Sequence, residues 1–300
     1  MDNVLTLIAN PVEAILDDST VLSVREALET LHVETAPADW LAAGQAVDLK
    51  FDDADTYAVE SCVRQTLSDA PIDVIVQKSY RRRKKLLIAD MDSTIVIGET
   101  LDELAAYAGR KDEIAAITQR AMRGELDFAA ALYERVAMLQ GLDESYLHKT
   151  MAQVELSPGA KTLVSTMRAH GANTALISGG FSFFTDQVRQ QVGFHTSLGN
   201  QLQIIDGKLT GKVTPPIIDK DTKLNMLTDT AEQLGLGMSD TMAIGDGAND
   251  VPMLSAAGTG VAYHAHPVAR EAARARLNHT DLTGALFVQG YHLDEFTSTL

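Results

Sequence analysis

Two aspartates, Asp90 and Asp92, come directly after the apolar run Leu86–Ala89, in the pentad Asp-Met-Asp-Ser-Thr. In a β-strand, side chains two residues apart point to the same face, so these carboxylates should converge at the carboxyl end of the strand. Their mutual repulsion predicts either a shared proton or a bound cation. A hard divalent cation such as Mg2+ suits ligands that are all oxygen. The alternative is a solvated turn that holds two aspartates by chance, and the pentad alone does not decide between the two.

The composition is that of a globular protein with roughly two domains. Of the 300 residues, 45% are hydrophobic and 22% are charged. The single cysteine, Cys62, excludes an internal disulfide framework and is typical of a reducing cytosol. No run approaches the ~18 apolar residues of a membrane helix, and the amino terminus lacks the basic region of a signal peptide. These features predict a cytoplasmic protein with no membrane partner.

The charge of the chain argues against binding to nucleic acid, because a basic surface supplies most of that affinity and the formal net charge here is −16. One basic cluster, residues 81–85 (Arg-Arg-Arg-Lys-Lys), interrupts this acidity. The cluster could be a nucleic-acid patch, but no aromatic residues are interleaved with it. We interpret it as a solvated linker that guards the edge of the following strand.

Residues 1–80 are predicted to form a small α+β unit. Apolar and β-branched residues predict strands at 4–9 and 72–77, and helical patterns occur at about 11–16 and 55–67. The unit contains no catalytic constellation. It could sense a small molecule, mediate a homodimer or cover a surface of the remaining chain.

From residue 86 onward the pattern alternates between strands and helices. Short apolar runs at 86–89, 174–177 and 241–244 are typical of buried parallel strands. Each run ends at a small or polar cluster that begins with Asp90, Ser178 or Gly245. In open α/β sheets the site lies beyond the carboxyl ends of the strands, so these clusters should meet in one crevice.

Two insertions are expected between these strands. Residues 98–157 are almost entirely helical in pattern and predict a small cap over the crevice, which leaves 86–97 and 158–300 as the core. Alternating residues on both sides of Asp206-Gly207 predict a β-hairpin.

Four elements now stand in order along the chain: the pentad at 90–94, Ser178-Gly179-Gly180, Lys223, and Gly-Asp-Gly-Ala-Asn-Asp at 245–250. This series resembles the haloacid dehalogenase-like phosphatases. Further stretches at 121–128, 135–136 and 178–181 resemble the phosphoserine phosphatases of the SerB type within that superfamily. The resemblance implies a Rossmann-like α/β core with a parallel sheet and a small helical cap of the C1 type. Residues 1–80 resemble the degenerate ACT-like unit of some bacterial members.

The resemblance assigns different roles to the two aspartates. Asp90 would be the nucleophile that forms an aspartyl-phosphate, and Asp92 would protonate the leaving alkoxide and then activate water. One group that performs both proton transfers should have a raised pKa. Mg2+ would be bound by the Asp90 carboxylate, the Asp92 backbone carbonyl and Asp246.

The remaining motif residues would handle the phosphate. Ser178 and the amide of Gly179 would hold phosphate oxygens, and Lys223 would balance the charge of Asp90 and the phosphoryl group. Asn249 would hydrogen-bond the phosphate or the leaving-group side of the substrate. Asp250 would be a partner of Lys223 or of waters on the metal. Taken singly, a Ser-Gly-Gly turn and a lysine that opens a helix are usually structural features.

Specificity should come from the cap. Glu99 would receive the ammonium of O-phosphoserine and Arg135 its carboxylate, while Met122 and Phe128 would wall the site beside Gly180. Taken alone, Glu99 could be an acid at a helix start and Arg135 a surface residue. The implied activity is phosphoserine hydrolysis in the final step of serine synthesis. A related small-molecule phosphatase or phosphotransferase is the first alternative, and an idle amino-acid-binding scaffold is the second.

Overall fold

The computed structural model of the chain describes residues 1–52, 54–123 and 125–297, with all their side chains except that of Met122. The strands are β1 (Asn3–Ala9), β2 (Asp39–Ala42), β3 (Ala46–Phe51), β4 (Ile72–Lys78), β5 (Leu86–Ala89), β6 (Asn173–Phe181), β7 (Thr196–Ile205), β8 (Lys208–Thr214), β9 (Thr241–Gly245), β10 (Thr259–Tyr263) and β11 (Ala275–Leu277). The helices are α1 (Asp18–Glu29), α2 (Thr56–Leu67), α3 (Thr100–Ala106), α4 (Lys111–Met122), α5 (Phe128–Ala137), α6 (Ser145–Met151), α7 (Ala160–Ala169), α8 (Ser182–Val192), α9 (Lys220–Gln233), α10 (Val251–Ala256), α11 (Pro267–Ala272) and α12 (Gly284–Val288).

The amino-terminal unit is an antiparallel sheet with the strand order β2-β3-β1-β4 and two helices on one face. Apolar residues of α1 and α2 pack with the facing sheet residues in a core of their own. The α+β prediction is confirmed, as are the strands at 4–9 and 72–77 and the helix at 55–67, whose first turn is capped by Asp55. Strands β2 and β3 were not predicted.

The helix predicted at 11–16 is wrong. The chain makes a single turn there, in which the Asn10 carbonyl accepts from the amides of Glu13 and Ala14, and the first helix begins only at Asp18. The reason is a cap that lies later in the sequence. The Asp17 carboxylate accepts from the amide of Thr20 at 2.8 Å, and an aspartate in this role fixes the start of a helix.

The second sheet carries the predicted α/β core. Its strand order is β11-β10-β9-β5-β6-β7-β8, and neighbouring strands are parallel except for the β7–β8 hairpin. The chain leaves the central β5 for β6 on one side and returns to β9 on the other. The carboxyl ends of these three strands are therefore neighbours at the point where the strand order reverses, which is where open α/β sheets bind ligands. The three predicted strands and the hairpin around Asp206-Gly207 are confirmed.

Helices α3 to α6 follow one another within residues 98–157, as the sequence predicts; we call this region the helical segment. Its two ends are joined, because Val96 and Leu156 form an antiparallel bridge and the Ile97 amide donates to the Glu155 carbonyl at 2.9 Å. The segment thus leaves and rejoins the core at one place. In the described part of the chain, no helix is both long and apolar enough to cross a membrane.

The basic cluster at 81–85 is not simply a solvated linker. Arg81 and Arg83 are exposed, but the Lys84 side chain is buried and donates to the carbonyls of Arg81 and Ser239. Burial lowers the pKa of Lys84 to about 8. The prediction that the cluster is solvated is therefore wrong for Lys84, because its side chain packs against the core and donates to a core carbonyl.

Arg82 joins the amino-terminal unit to the core. Its guanidinium forms a bidentate ion pair with Asp48, in which Nη2 lies 3.2 Å from Oδ1, and the arginine and aspartate side chains are 9% and 2% exposed. The same group donates to Thr6 on β1 and to the carbonyls of Phe287 and Val288 on α12. A residue of the linker thus connects both units.

We expect Arg82→Ala to lower the free energy of unfolding by about 3 kcal/mol, because it leaves Asp48 buried without its cation. Urea denaturation measures this change. The matched control is Arg81→Ala, an exposed neighbour whose loss should change stability by no more than about 0.5 kcal/mol. Equal effects of the two variants would show that the buried pair does not stabilise the junction.

Candidate active site

The turn after β5 holds both aspartates of the pentad inside the protein. The Asp90 amide donates to the Ile244 carbonyl of β9 at 2.9 Å, and the Val96 amide closes the turn on the Met91 carbonyl. Within it Ser93 adopts a left-handed conformation with φ of 53°. Asp90 is 2% exposed and Asp92 is 7% exposed, so the solvated turn is excluded.

Lys223 forms ion pairs with two carboxylates. Its Nζ lies 2.7 Å from Asp90 Oδ1 and 2.7 Å from Asp250 Oδ1, and its side chain is 1% exposed. Helix α9 presents this lysine in its first turn, after an Asp219 cap. Burial opposes the charge of the lysine, but Asp250 and Asp90 outweigh this effect and raise its pKa. Lys223 is therefore a fixed cation between two acids.

Asp250 organises the turn after β9. Its Oδ2 accepts from the amides of Asp246 and Gly247, both at 3.1 Å. A Cβ on Gly245 would clash with the Asp250 side chain, so only glycine fits there. The predicted contact between Asp250 and Lys223 is present, and both Asp250 oxygens are engaged by protein donors.

A carboxylate cluster capable of holding a cation lies beside Lys223. Ligand atoms of Asp90, Asp246 and Asp250 all lie within 4.8 Å of one another, and the three residues are buried. Burial and then the neighbouring Asp250 raise the pKa of both Asp90 and Asp246 well above the ordinary range. One lysine does not balance three buried carboxylates. A divalent cation with a preference for oxygen ligands fits the remaining charge.

Asp92 faces a different environment from Asp90. Its Oδ1 accepts from the Thr100 amide at 2.8 Å, and its Oδ2 accepts from the Ser178 hydroxyl at 3.1 Å. Burial raises its pKa, although the hydrogen bonds from Thr100 and Ser178 oppose that shift. The two acids of the pentad are therefore not equivalent.

Ser178, Gly179 and Gly180, in the irregular last part of β6, lie against both Asp92 and the helical segment. The Gly180 amide donates to Ser178 Oγ at 2.8 Å. A Cβ on Gly179 would lie 2.5 Å from Phe128 Cζ, and one on Gly180 would lie 2.8 Å from Asp92 Oδ2. A side chain on either glycine would therefore displace the Phe128 ring or the Asp92 carboxylate from its place in the site.

Asn200 on β7 is a site residue that the sequence analysis missed. Its Nδ2 donates to the Gly179 carbonyl at 2.7 Å, and its Oδ1 accepts from the Ile218 amide at 2.8 Å. The side chain thus ties Gly179 to the segment that leads into α9. An asparagine directly before the first strand of the predicted hairpin gives no sequence signal of this contact.

Glu99 and Arg135 bring opposite charges from the helical segment to the site. Glu99 accepts from the Ser93 hydroxyl at 2.7 Å, and its pKa is raised well above the ordinary range by burial and by Asp92 and Asp246. Arg135 is 5% exposed, so it is not a surface residue. Burial lowers its pKa, whereas Glu99, Asp102 and Asp92 oppose that shift.

One cavity collects most of the predicted residues. It is lined by Asp90, Asp92, Glu99, Leu101, Phe128, Arg135, Ser178, Gly179, Gly180 and Asn249. Leu101 was not predicted. Lys223, Asp246 and Asp250 lie beside Asp90 rather than on the lining, and the side chain of Met122 lies outside the described residues. Asn249 Oδ1 is buried without a partner among the described residues, as expected of a group that awaits a ligand.

Comparison with known proteins agrees with this geometry. Residues 87–255, more than half of the chain, match the family model of the haloacid dehalogenase-like hydrolases. A phosphoserine phosphatase of Streptomyces coelicolor is 41% identical over 83% of this chain and 62% of its own length. Phosphoserine phosphatase SerB2 of Mycobacterium tuberculosis is 46% identical over 70% of this chain and 51% of its own length. This chain therefore spans less than two thirds of these two relatives.

Shorter relatives and solved structures match more fully. A phosphoserine phosphatase of Streptococcus thermophilus is 46% identical over 66% of this chain and 93% of its own length. A hydrolase of the family from Salmonella enterica serovar Typhi superposes with a TM-score of 0.82 at 31% identity, covering 98% of this chain and 99% of that one. A phospho-aspartyl intermediate analogue of phosphoserine phosphatase has a TM-score of 0.66 at 35% identity, covering 68% and 98%. The predicted resemblance is confirmed, and the chain belongs to the haloacid dehalogenase-like hydrolase family.

Proposed function

We propose that this chain is a Mg2+-dependent phosphoserine phosphatase that acts through an aspartyl-phosphate in the final step of serine biosynthesis, in the cytoplasm. The observation that carries the proposal is the shared cavity. Asp90, Asp92 and Ser178 of the core line it together with Glu99 and Arg135 of the helical segment. A phosphate ester that also carries an ammonium and a carboxylate matches this set. The core residues would receive the phosphate, Glu99 the ammonium and Arg135 the carboxylate. Relatives named phosphoserine phosphatase support the same substrate.

The carboxylate cluster would hold the metal ion. Asp90 and Asp246 would supply carboxylate oxygens, and by family resemblance the Asp92 backbone carbonyl would supply another. Asp250 would serve as an indirect support, because its oxygens already accept from Lys223 and from the amides after β9. When bound, the cation would offset the negative charge that develops on the phosphoryl group.

In the first half-reaction, an oxygen of the Asp90 carboxylate attacks phosphorus and the bond from phosphorus to the seryl oxygen breaks. Asp92 in its acid form gives its proton to that leaving oxygen, which releases serine. The raised pKa of Asp92 favours the acid form that this step needs. Lys223 holds Asp90 Oδ1 at 2.7 Å and so keeps the carboxylate fixed during attack.

In the second half-reaction, the Asp92 carboxylate takes a proton from water. The water oxygen attacks phosphorus, the bond from phosphorus to Asp90 breaks, and inorganic phosphate leaves. Asp90 returns as a carboxylate and Asp92 returns as an acid, so both groups are restored. Ser178, the Gly179 amide and Asn249 would hold the phosphate oxygens during both steps.

Recognition of the amino-acid part would fall to the predicted cap, residues 98–157, as a unit distinct from the core at 86–97 and 158–300. Glu99 has a raised pKa and needs a cation to stabilise its ionised form, and the substrate ammonium would supply one. Arg135 would bind the carboxylate. Phe128, whose ring lies against Gly179, would exclude water from the reacting groups.

A phosphate-release screen tests this proposal. We expect selective turnover of O-phosphoserine over phosphothreonine, phosphoethanolamine and sugar phosphates, loss of turnover in EDTA, and recovery on addition of Mg2+. Glu99→Ala and Arg135→Ala should each raise KM for phosphoserine. Preference for a sugar phosphate would overturn the substrate assignment. Transfer of the phosphoryl group to an added alcohol in place of water would identify a phosphotransferase.

A further inference from the structure

Arg135 is a buried cation that lines the cavity without an ion-pair partner. Among the described residues, no carboxylate oxygen lies within 4.0 Å of its guanidinium, whereas the buried Lys223 beside the same cavity pairs with two carboxylates. Its Nε donates to the Ala131 carbonyl of its own helix at 3.1 Å. Its Nη1 donates to Thr118 Oγ1 on α4 at 3.0 Å. Both contacts are with neutral groups, so the charge remains available to an anion in the cavity.

Thr118 also contacts a third helix, α3. Its hydroxyl lies 2.8 Å from Asp102 Oδ1 on α3, and the threonine is 0% exposed. A guanidinium can only donate and an ionised carboxylate can only accept, so the single hydroxyl proton of Thr118 must point to Asp102. The direction of the whole relay from Arg135 through Thr118 to Asp102 is therefore fixed.

Asp102 is itself a buried acid with no ion pair within 4.0 Å among the described residues. Burial raises its pKa, whereas the Thr118 hydrogen bond and the charge of Arg135 oppose that shift. Asp102 is thus close enough for its charge to stabilise the guanidinium, but it makes no direct contact with it. An aspartate in direct contact would form an ion pair with Arg135 and would use N–H groups that a substrate carboxylate needs.

The relay also decides which donors of Arg135 stay free. Of the five N–H groups of a guanidinium, one on Nε and one on Nη1 are engaged by Ala131 and Thr118. Within the described part of the chain, both N–H groups of Nη2 and one of Nη1 have no acceptor. A planar fork held by two neutral acceptors is fixed in orientation before any ligand arrives, which lowers the entropy cost of binding a carboxylate.

We propose that Asp102 and Thr118 are positioning residues that set the orientation of Arg135 and thereby the selectivity for a substrate that carries a carboxylate. The inference rests on the proposed function, since it concerns how that site tells phosphoserine from an ester that lacks the carboxyl group. Neither residue lines the cavity, so both would act on the substrate only through Arg135.

The test compares two substrates in the Thr118→Val variant, which keeps the shape of the side chain and removes the hydroxyl. O-phosphoserine and phosphoethanolamine share the ester and the ammonium and differ in the carboxylate. We expect kcat/KM for phosphoserine to fall by about 10- to 100-fold, mainly through KM, because a hydrogen bond to a charged group is lost. For phosphoethanolamine the change should stay below about 2-fold.

Two further variants separate positioning from helix packing. Thr118→Ser retains the hydroxyl and should restore most of the phosphoserine selectivity. Thr150→Val is the matched control, because Thr150 is a buried threonine in the same segment whose hydroxyl has no partner among the described residues. Thr150→Val should leave kcat/KM unchanged for both substrates. If Thr118→Val is too unstable to assay, Asp102→Ala should raise KM for phosphoserine selectively, since it removes the acceptor that orients the Thr118 hydroxyl.

Equal losses on both substrates in Thr118→Val would overturn the inference and leave the relay as a contact that only holds the helices together. Unchanged selectivity would overturn it as well. The wild-type protein distinguishes failure of this inference from failure of the proposed function. If the wild type does not prefer phosphoserine to phosphoethanolamine, the substrate assignment is wrong. If it does and Thr118→Val retains that preference, only the relay proposal fails.

Discussion

Replacement of Asp90 by asparagine should reduce phosphoserine hydrolysis by about 10⁴-fold or more, since an amide is a poor nucleophile and cannot form the aspartyl-phosphate. The fold should survive. Asp90 is one of three carboxylates packed within 4.8 Å, and the loss of one negative charge relieves their repulsion. Steady-state release of phosphate gives the rate, and thermal unfolding gives the stability.

The control for this variant is Asp229→Asn, which removes an exposed aspartate from α9 without touching the site. It should keep wild-type turnover. Retention of activity in Asp90→Asn would rule out the covalent mechanism and point to direct attack by water. A phosphorylated protein trapped by rapid quench of the wild type, and absent from the Asp90→Asn variant, would identify the nucleophile independently.

Replacement of Lys223 by methionine should have the largest combined effect on stability and activity. The lysine is 1% exposed and pairs with two buried carboxylates, so its removal leaves both without a cation. Breaking a buried pair in this way costs about 3–5 kcal/mol, and here two acids lose one partner. We expect urea denaturation in EDTA to reveal a loss in that range, and phosphate release to fall by about 10³-fold.

A second substitution separates the two effects. The double variant Lys223→Met, Asp250→Asn also removes one of the two carboxylates that have lost their cation. Part of the lost stability should therefore return, while activity stays low. Lys220→Met, an exposed lysine in the same helical turn, is the matched control and should alter neither quantity appreciably. If the double variant is no more stable than Lys223→Met alone, charge imbalance is not the cause of the instability.

Lys223 supports the proposal that Asp90 and Asp92 have different roles. Asp90 receives its hydrogen bond from a cation, whereas Asp92 receives its bonds from the neutral Thr100 amide and Ser178 hydroxyl. The charge of Lys223 lowers the pKa of Asp90 and so opposes the rise that burial and Asp250 cause. The local contacts therefore favour Asp90 as the nucleophile and Asp92 as the proton carrier.

The sequence by itself predicted which residues of the core meet at the candidate site. Asp90 and Asp246 each follow a short apolar strand, Ser178 lies directly after the apolar part of β6, and the parallel-sheet rule brings the carboxyl ends of neighbouring strands together. This information is local, because a strand end and the residues after it are contiguous in the chain. The helix misplaced at 11–16 shows the limit even there, since the Asp17 cap outweighed the weak periodicity before it.

Only the tertiary structure decided the contacts that hold these groups in place. Arg82 meets Asp48 across 34 residues, Asn200 meets Gly179 across 21, and Arg135 meets Thr118 across 17. Each is an ordinary polar residue in its own segment, with no spacing that predicts its partner. Which polar groups pair inside a protein depends on how helices and sheets pack and on which groups lose water in doing so. The sequence therefore determined the chemistry available at the strand ends, and packing determined how it is oriented.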